Sequence, residues 1–236
     1  MIIARSPLRI SLGGGGTDLA SYYRDHGGYV LAGAINKYVY VHIKKHDPLF
    51  QELFRISYSQ VEHTESRNQI KNGIVKSCLE LLEIDEPLQI STSADLPASS
   101  GLGSSSTFAT ALLQGLHSLN GRKVSAKQLA EEASHVEIEM LKEPIGKQDQ
   151  YAAAFGGLNY CEFNANEKVK IEHLEISLNF IEKIPIRIKI KQKYFLTNGS
   201  RPGFPSSLKY IGKIFSVISQ TLRFNISLQA SASVCN

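Results

Sequence analysis

Four stretches of this 236-residue chain hold side chains whose types and spacing could carry chemistry. In Pro97-Ala98-Ser99-Ser100-Gly101-Leu102-Gly103-Ser104-Ser105-Ser106 the small residues let the backbone turn tightly and approach a ligand closely. A helix beginning there presents unsatisfied N–H groups and a positive dipole end, which together favour a phosphate. Serine hydroxyls at that point can add hydrogen bonds or reach a Mg²⁺ held between phosphates. No lysine follows the second glycine, so the segment is not a Walker A loop. Taken alone, it also fits an ordinary Gly/Ser-rich turn capping a core helix.

Three acidic residues and one arginine complete the set. On a helix spanning 126–142, Ala130, Ala133, Val136 and Met140 form an apolar stripe, and Glu137 stands beside it. Glu132, His135 and Glu139 fall on the opposite, solvated face. A carboxylate near a buried face needs a cation or strong donors, which a magnesium ion would supply; a border-of-core glutamate reaching to water fits the same pattern. Asp149, in Gly146-Lys147-Gln148-Asp149-Gln150, precedes a small-residue helix. It could accept or orient a substrate hydroxyl proton, or merely stabilise a helix N-terminus. Arg9 and Asp18 flank the run Gly13-Gly14-Gly15-Gly16. Asp18 could bind sugar hydroxyls and Arg9 could stabilise a transferring phosphoryl group, while a tight strand-ending turn is the plainer alternative. The glycine run is not a dinucleotide fingerprint, because Asp18 stands where GxGxxG needs its last glycine.

These residues need a scaffold. Residues 2–12 read as a strand stopped by the glycine run, followed by strands at 29–44 and 53–59. A helical spacing of Ile70, Ile74, Cys78 and Leu81 covers 69–84, and 88–92 is a short strand. An apolar helical run follows the serines to Leu119. Ser125 with Gln128 forms a capping-box signature for the helix through about Lys142. Residues 147–154 read as a helix stopped by Gly156-Gly157, and 158–163 as a strand. This order predicts an α+β layer structure with a boundary near Asn164-Ala165-Asn166.

Composition narrows the class. The chain is 42% apolar and 20% charged with 18 Gly and 8 Pro, the balance of a globular protein. No apolar run reaches spanning length, and Arg5 and Arg9 interrupt any signal-peptide core, so a cytoplasmic location is expected. Cys78, Cys161 and Cys235 lack CxxC spacing and read as buried or incidental thiols. The seven histidines show no metal-ligand spacing. With no Trp and no Arg/Tyr-interleaved segment, neither a nucleic acid nor a membrane is the expected partner. Nothing in the sequence sets an oligomeric state.

Together the motifs resemble the GHMP sugar and metabolite kinases. SPLRISLGGGGTD (Ser6–Asp18) is similar to the family's substrate motif, PASSGLGSSST (Pro97–Thr107) to its phosphate loop, and GKQDQYAAAFGG (Gly146–Gly157) to the segment bearing its catalytic aspartate. The likeness covers residues 1–165. It implies an N-terminal domain of the ribosomal protein S5 domain 2-like fold at 1–165. Residues 166–236 would form an incomplete ferredoxin-like C-terminal segment. By the same likeness ATP phosphates would lie on Pro97 and Ser100 to Ser106, and Ser105 and Glu137 would hold Mg²⁺. Asp149 would be the base or orienting carboxylate and Arg9 its electrostatic partner. Gly14, Gly15, Gly16, Thr17 and Asp18 would bind the substrate. The glycine-run and GKQDQ forms look most like the branch that phosphorylates the anomeric hydroxyl of D-glycero-D-manno-heptose 7-phosphate, giving the 1,7-bisphosphate. Alternatives are another sugar 1-kinase of fucose or galactose type, or a non-catalytic nucleotide-binding remnant.

The C-terminal stretch departs from the family. After Gly157 only Gly199, Gly203 and Gly212 occur, none adjacent, where the family has a third glycine-rich motif. No acidic residue follows Glu182, and residues 187–236 carry +8 of the chain's net +4, leaving −4 for the first 186. Residues after about Ile184 therefore read as an altered reading frame or truncated product, with low kinase activity expected; a divergent C-terminal domain is the alternative.

Overall fold

Alternating burial along one long strand organises the molecule. In the computed structural model, which describes residues 1–175 except Pro48 and Ser99, strand β2 (Gly28–Lys45) buries Val30, Ala32, Val39, Val41 and Ile43 while Tyr29 and Lys44 face outward. An antiparallel sheet with one solvated face needs this period-two pattern. Strand β1 (Ile2–Gly13) runs antiparallel along β2, from Ile2 opposite Ile43 to Gly13 opposite Leu31. On β2, residues 39–45 also pair with β5 (Leu88–Ala94), and residues 28–33 pair with β6 (Leu158–Phe163). Strands β3 (Phe54–Ser57) and β4 (Val61–Thr64) extend the β5 side, β3 running parallel to β5. Strand β7 (Val169–His173) closes the other side on β6.

The helices cover the buried face. Helix α2 (Gly73–Leu81), α3 (Ser104–Leu119) and α4 (Ala126–Ser134) bury Val75, Leu79, Leu112, Leu113, Leu116 and Leu129 against Val41, Ile43, Phe54, Ile56, Leu88 and Ile90. Each such side chain, fully buried, contributes about 1.5–3 kcal/mol. A smaller cluster joins Tyr23 of α1 (Ala20–His26), Val30, Ala32, Phe163 and Ala152 of α5 (Gln148–Phe155). The α+β class expected from the element order is the one observed.

Several expectations need adjustment. α1, β4 and β7 escape the sequence pattern because each is short, and in β4 the buried residues are the polar Glu62 and Thr64 while Val61 is exposed. The helix expected through Lys142 is α-helical only to Ser134, and His135–Met140 is a π-helical segment. Its start does follow the capping signature, since the Gln128 amide donates to Ser125 Oγ at 3.1 Å. The Gln128 side chain donates to Glu132 instead of closing the box. Glu132 is not simply solvated: it is half-buried and bonded to His117 Nε2 at 2.6 Å. The boundary expected at 164–166 falls on the β6–β7 turn, and the compact unit continues to Leu174. The expected frame change, the basic tail, Cys235 and all but residues 166–175 of the expected ferredoxin-like segment fall outside the described residues, and those ten residues carry β7 and its turn instead. Cys78 and Cys161 are free and buried, and burial pushes both thiols up, so neither is a ready nucleophile.

Helix α3 docks on the sheet through apolar burial and one polar tie, Thr107 Oγ1 donating to the Pro7 carbonyl at 3.2 Å. Leu112→Ala should cost about 2–5 kcal/mol of unfolding free energy, whereas Thr107→Val should cost only about 1 kcal/mol. Urea denaturation of both variants checks this, and equal losses would mean that the polar tie, not the core, docks the helix.

Candidate active site

The site forms where β1, the start of α3 and the start of α5 meet. Pairing of β1 with β2 shifts register between Pro7 and Arg9, and again between Ser11 and Gly13. Such irregularities re-aim side chains, and Arg9 lies at the first of them. Its guanidinium donates from Nε to Asp149 Oδ1 at 2.6 Å and from Nη2 to Asp149 Oδ2 at 2.7 Å. Its Nη1 donates to the Gly101 carbonyl at 2.9 Å, and its backbone amide donates to the Leu102 carbonyl at 3.1 Å. One arginine thus ties together all three sequence motifs.

The phosphate-type loop ends at Gly103, the residue before α3, in a left-handed conformation (φ +75°) that a glycine adopts without strain. A Cβ there would also sit 3.1 Å from Asp149 Oδ2. No side chain caps α3, and the first amide bonded back along the chain is that of Thr107, to the Gly103 carbonyl. The amides of Ser104, Ser105 and Ser106 therefore form an anion-attracting helix end. Ser100 Oγ lies 3.5 Å from Ser104 Oγ, Leu102 turns its side chain into the core, and Pro97 is exposed at the head of the loop. Ser99 lies outside the described residues.

Glu137 is fully buried on the π-helical segment. Ser105 Oγ donates to its Oε1 at 2.5 Å, and Gln150 Nε2 donates to its Oε2 at 2.6 Å. Burial pushes its carboxyl above the usual range, against bonds from Ser105, Ser106 and Gln150 that favour the charged form. A hydroxyl and a carboxylate are hard oxygen donors, and Mg²⁺ beside phosphates typically takes only one or two protein ligands. Ser105 and Glu137 fit that requirement. Among the described residues no group of three or more His, Cys, Asp or Glu could hold a metal without such help.

Asp18 is buried and differs from its sequence-based expectation in one respect: its oxygens already have protein donors. The amides of Gly16 and Gln148 donate to it at 2.9 and 3.0 Å, and Gln148 Nε2 at 3.2 Å. Gly146 makes this approach possible, since a Cβ there would lie 1.9 Å from Asp18 Oδ2. A cavity of about 240 Å³ opens beside these groups, lined by Arg9, Gly16, Asp18, Leu19, Pro144, Ile145, Gly146, Gln148 and Asp149. Gly14, Gly15 and Thr17 are not on its wall; Thr17 Oγ1 instead bonds the Gly14 and Tyr29 carbonyls and accepts from the Tyr29 amide.

Sequence reasoning passed over Gln148, Gln150 and the residues that steady the 146–149 turn. Lys147 Nζ donates to Glu167 Oε2 at 2.6 Å, Arg24 Nε to Oε1 at 2.7 Å and Tyr23 Oη to Oε2 at 2.5 Å. The glutamines are uncharged and gave no chemical cue beyond their position either side of Asp149. Burial opposes the Glu167 charge, but the bonds from Lys147, Tyr23 and Arg24 outweigh it and hold the carboxyl at about 2, below its ordinary 4.5. Its contribution to stability is therefore complete above the ordinary value and is lost as pH falls toward about 2. The difference in urea midpoint between the unmodified chain and Glu167→Gln should stay level from about pH 7 to 5 and close toward about pH 2. A difference of the same size at the acid end would show that the carboxylate charge is not what holds the turn.

Residues 71–157 match the family model of the GHMP kinases N terminal domain. The chain is similar to D-glycero-alpha-D-manno-heptose 7-phosphate kinase of Campylobacter jejuni, 35% identical over 184 residues that cover 74% of this chain and 54% of the relative. A galactokinase of Thermococcus kodakarensis is 32% identical over 176 residues, covering 72% and 48%. Among solved structures, a D-glycero-D-manno-heptose 1-phosphate kinase from Bacteroides thetaiotaomicron superposes with a TM-score of 0.71 at 29% identity, over 77% of this chain and 62% of that one. The chain spans about half the length of the curated relatives it matches. No helix among the described residues is long and apolar enough to cross a membrane. The family model and these relatives agree that residues 71–157 are similar to the N-terminal domain of the GHMP kinases.

Proposed function

We propose that this chain belongs to an ATP-dependent kinase that phosphorylates the anomeric hydroxyl of D-glycero-D-manno-heptose 7-phosphate to the 1,7-bisphosphate. The observation that carries the reading is the bidentate Arg9–Asp149 pair at the cavity wall, packed against the start of α3. The amides of Ser104, Ser105 and Ser106 would receive the ATP phosphates. Ser105 and Glu137 would hold Mg²⁺, which when bound supplies neutralisation of phosphate charge. Asp149 accepts or orients the hydroxyl proton while Arg9 keeps its carboxylate aimed and balances its charge. The barrier falls chiefly through alignment and charge stabilisation, as phosphoryl transfer generally requires. Asp18 acts mainly by shaping the sugar-side wall through Gly16 and Gln148. Supply of ATP and a sugar phosphate makes the cytoplasm the natural compartment. The similarity to galactokinases supports a second reading, a sugar 1-kinase of galactose type.

The test is ADP release by the full chain over a panel of heptose 7-phosphate, galactose and fucose, paired with calorimetric Mg-ATP binding. Fastest turnover with the heptose phosphate supports the first reading, and fastest with galactose replaces it by the second. Mg-ATP binding without turnover on any sugar would make the chain a nucleotide-binding remnant. Asp149→Asn should keep Mg-ATP binding and lose transfer by ~10²–10⁴. Glu137→Gln should weaken Mg-ATP but not metal-free nucleotide, and exposed Glu139→Gln should leave both unchanged. Normal turnover by Asp149→Asn would remove its assigned role.

A further inference from the structure

Gln150 is fully buried one residue beyond Asp149, on the first turn of α5. Its Nε2 donates to Glu137 Oε2 at 2.6 Å, and its Oε1 has no partner among the described residues. A buried amide oxygen without a donor weakens a fold, so packing alone does not explain a glutamine here. Among the described residues the one bond that this side chain makes is to Glu137. The two oxygens of that carboxylate are therefore addressed from different sides, Oε1 by Ser105 and Oε2 by Gln150.

We infer that Gln150 is a positioning residue that makes the Ser105–Glu137 pair selective for Mg²⁺ over Ca²⁺, by engaging Oε2 and leaving Oε1 alone to face a cation. The inference rests on the reading of that pair as a cation site. A small octahedral ion with short bonds accepts a carboxylate through one oxygen. Ca²⁺, with longer bonds and more ligands, gains from a carboxylate that can turn and offer both. Groups behind a metal ligand commonly change metal affinity by about 10–100-fold. Only the NH₂ end of the amide can face a carboxylate, so the glutamine is locked in one orientation and its hold on Oε2 has a fixed direction.

The experiment uses the full chain with Mn²⁺ and a non-hydrolysable ATP analogue. Enhancement of water-proton relaxation reports the ternary complex, which is then displaced by Mg²⁺ or by Ca²⁺. In the unmodified chain Mg²⁺ should displace Mn²⁺ at the lower concentration. Gln150→Met, which keeps length but cannot donate, should shift the Mg²⁺/Ca²⁺ midpoint ratio toward Ca²⁺ by about tenfold. Gln150→Asn keeps the amide but is too short to reach, and should shift the ratio the same way, so it serves if the methionine variant does not fold. A Mn²⁺ complex whose ratio is unchanged in the folded variants overturns the inference and leaves the cation site standing. Ca²⁺ displacing as readily as Mg²⁺ from the unmodified chain also overturns it, and this needs no variant. Absence of any ternary Mn²⁺ complex would instead overturn the cation site itself.

Discussion

The geometry of the site depends on the contact between Arg9 and Asp149. It joins a strand residue at a register shift to the first turn of a helix 140 positions away in the chain. The arginine's remaining nitrogen and its backbone amide grip two successive carbonyls of the loop before α3. Half-buried ion pairs are weak sources of net stability, because desolvation offsets most of the attraction. Removing one partner is nonetheless costly, since it strands the other charge. The pair is better understood as a fixture: a planar fork that fits a carboxylate in one orientation. A lysine would neutralise the same charge without fixing the direction in which the carboxylate points.

The same logic extends along the start of α5, where three consecutive residues each reach a different part of the fold. Gln148 binds Asp18 below the glycine run, Asp149 binds Arg9, and Gln150 binds Glu137 on the π-helical segment. Successive helical residues point about 100° apart, so one turn can address three neighbours. Small, buried Ala152 and Ala153 let that turn lie close to the sheet. The surrounding acids are thereby held by different donors: backbone and amide groups for Asp18, a guanidinium for Asp149, and a hydroxyl with an amide for Glu137. None competes with another for the same partner. The Lys147–Glu167 bond steadies the residue just before them from the β6–β7 turn.

Much of this was legible in the sequence, for physical reasons that also mark where reading stops. Glycine runs and serine clusters announce backbone that must turn or approach a ligand, so the loops before Asp18 and Ser104 stood out. The long β2 was visible because it is rich in Val, Ile and Tyr; β4 and β7, with four and five residues, are too short to register. Glu137 was found by an α-helical wheel, although its segment is π-helical. The wheel survived because the regular part of the helix sets the buried side and the wide turn leaves Val136 and Glu137 both inward. It failed for Glu132, whose partner His117 lies on another helix and leaves no trace in local spacing. Gln148 and Gln150 were invisible for a related reason: a neutral amide acquires meaning only from the carboxylate placed opposite it.

A helix end whose free amides attract anions and a carboxylate beside it make poor neighbours, and the fold has to reconcile them. Asp149 lies so close to Gly103 that even a methyl group there would crowd it. A phosphate drawn to the amides of α3 would meet that carboxylate across a few ångströms. At an effective dielectric constant near 20, two like charges about 4 Å apart repel by about 4 kcal/mol, more than the 0.3–1 kcal/mol that an exposed helix dipole typically supplies. The loop before α3 and Asp149 are compatible because Arg9 lies bidentate on the carboxylate and also bonds the loop carbonyl at Gly101. The pair carries nearly zero net charge while keeping the Asp149 carboxylate on the cavity wall. Arg9 thus matters to the fold itself: without it, the Asp149 carboxylate would stand unpaired beside the loop and would repel any anion at the helix end.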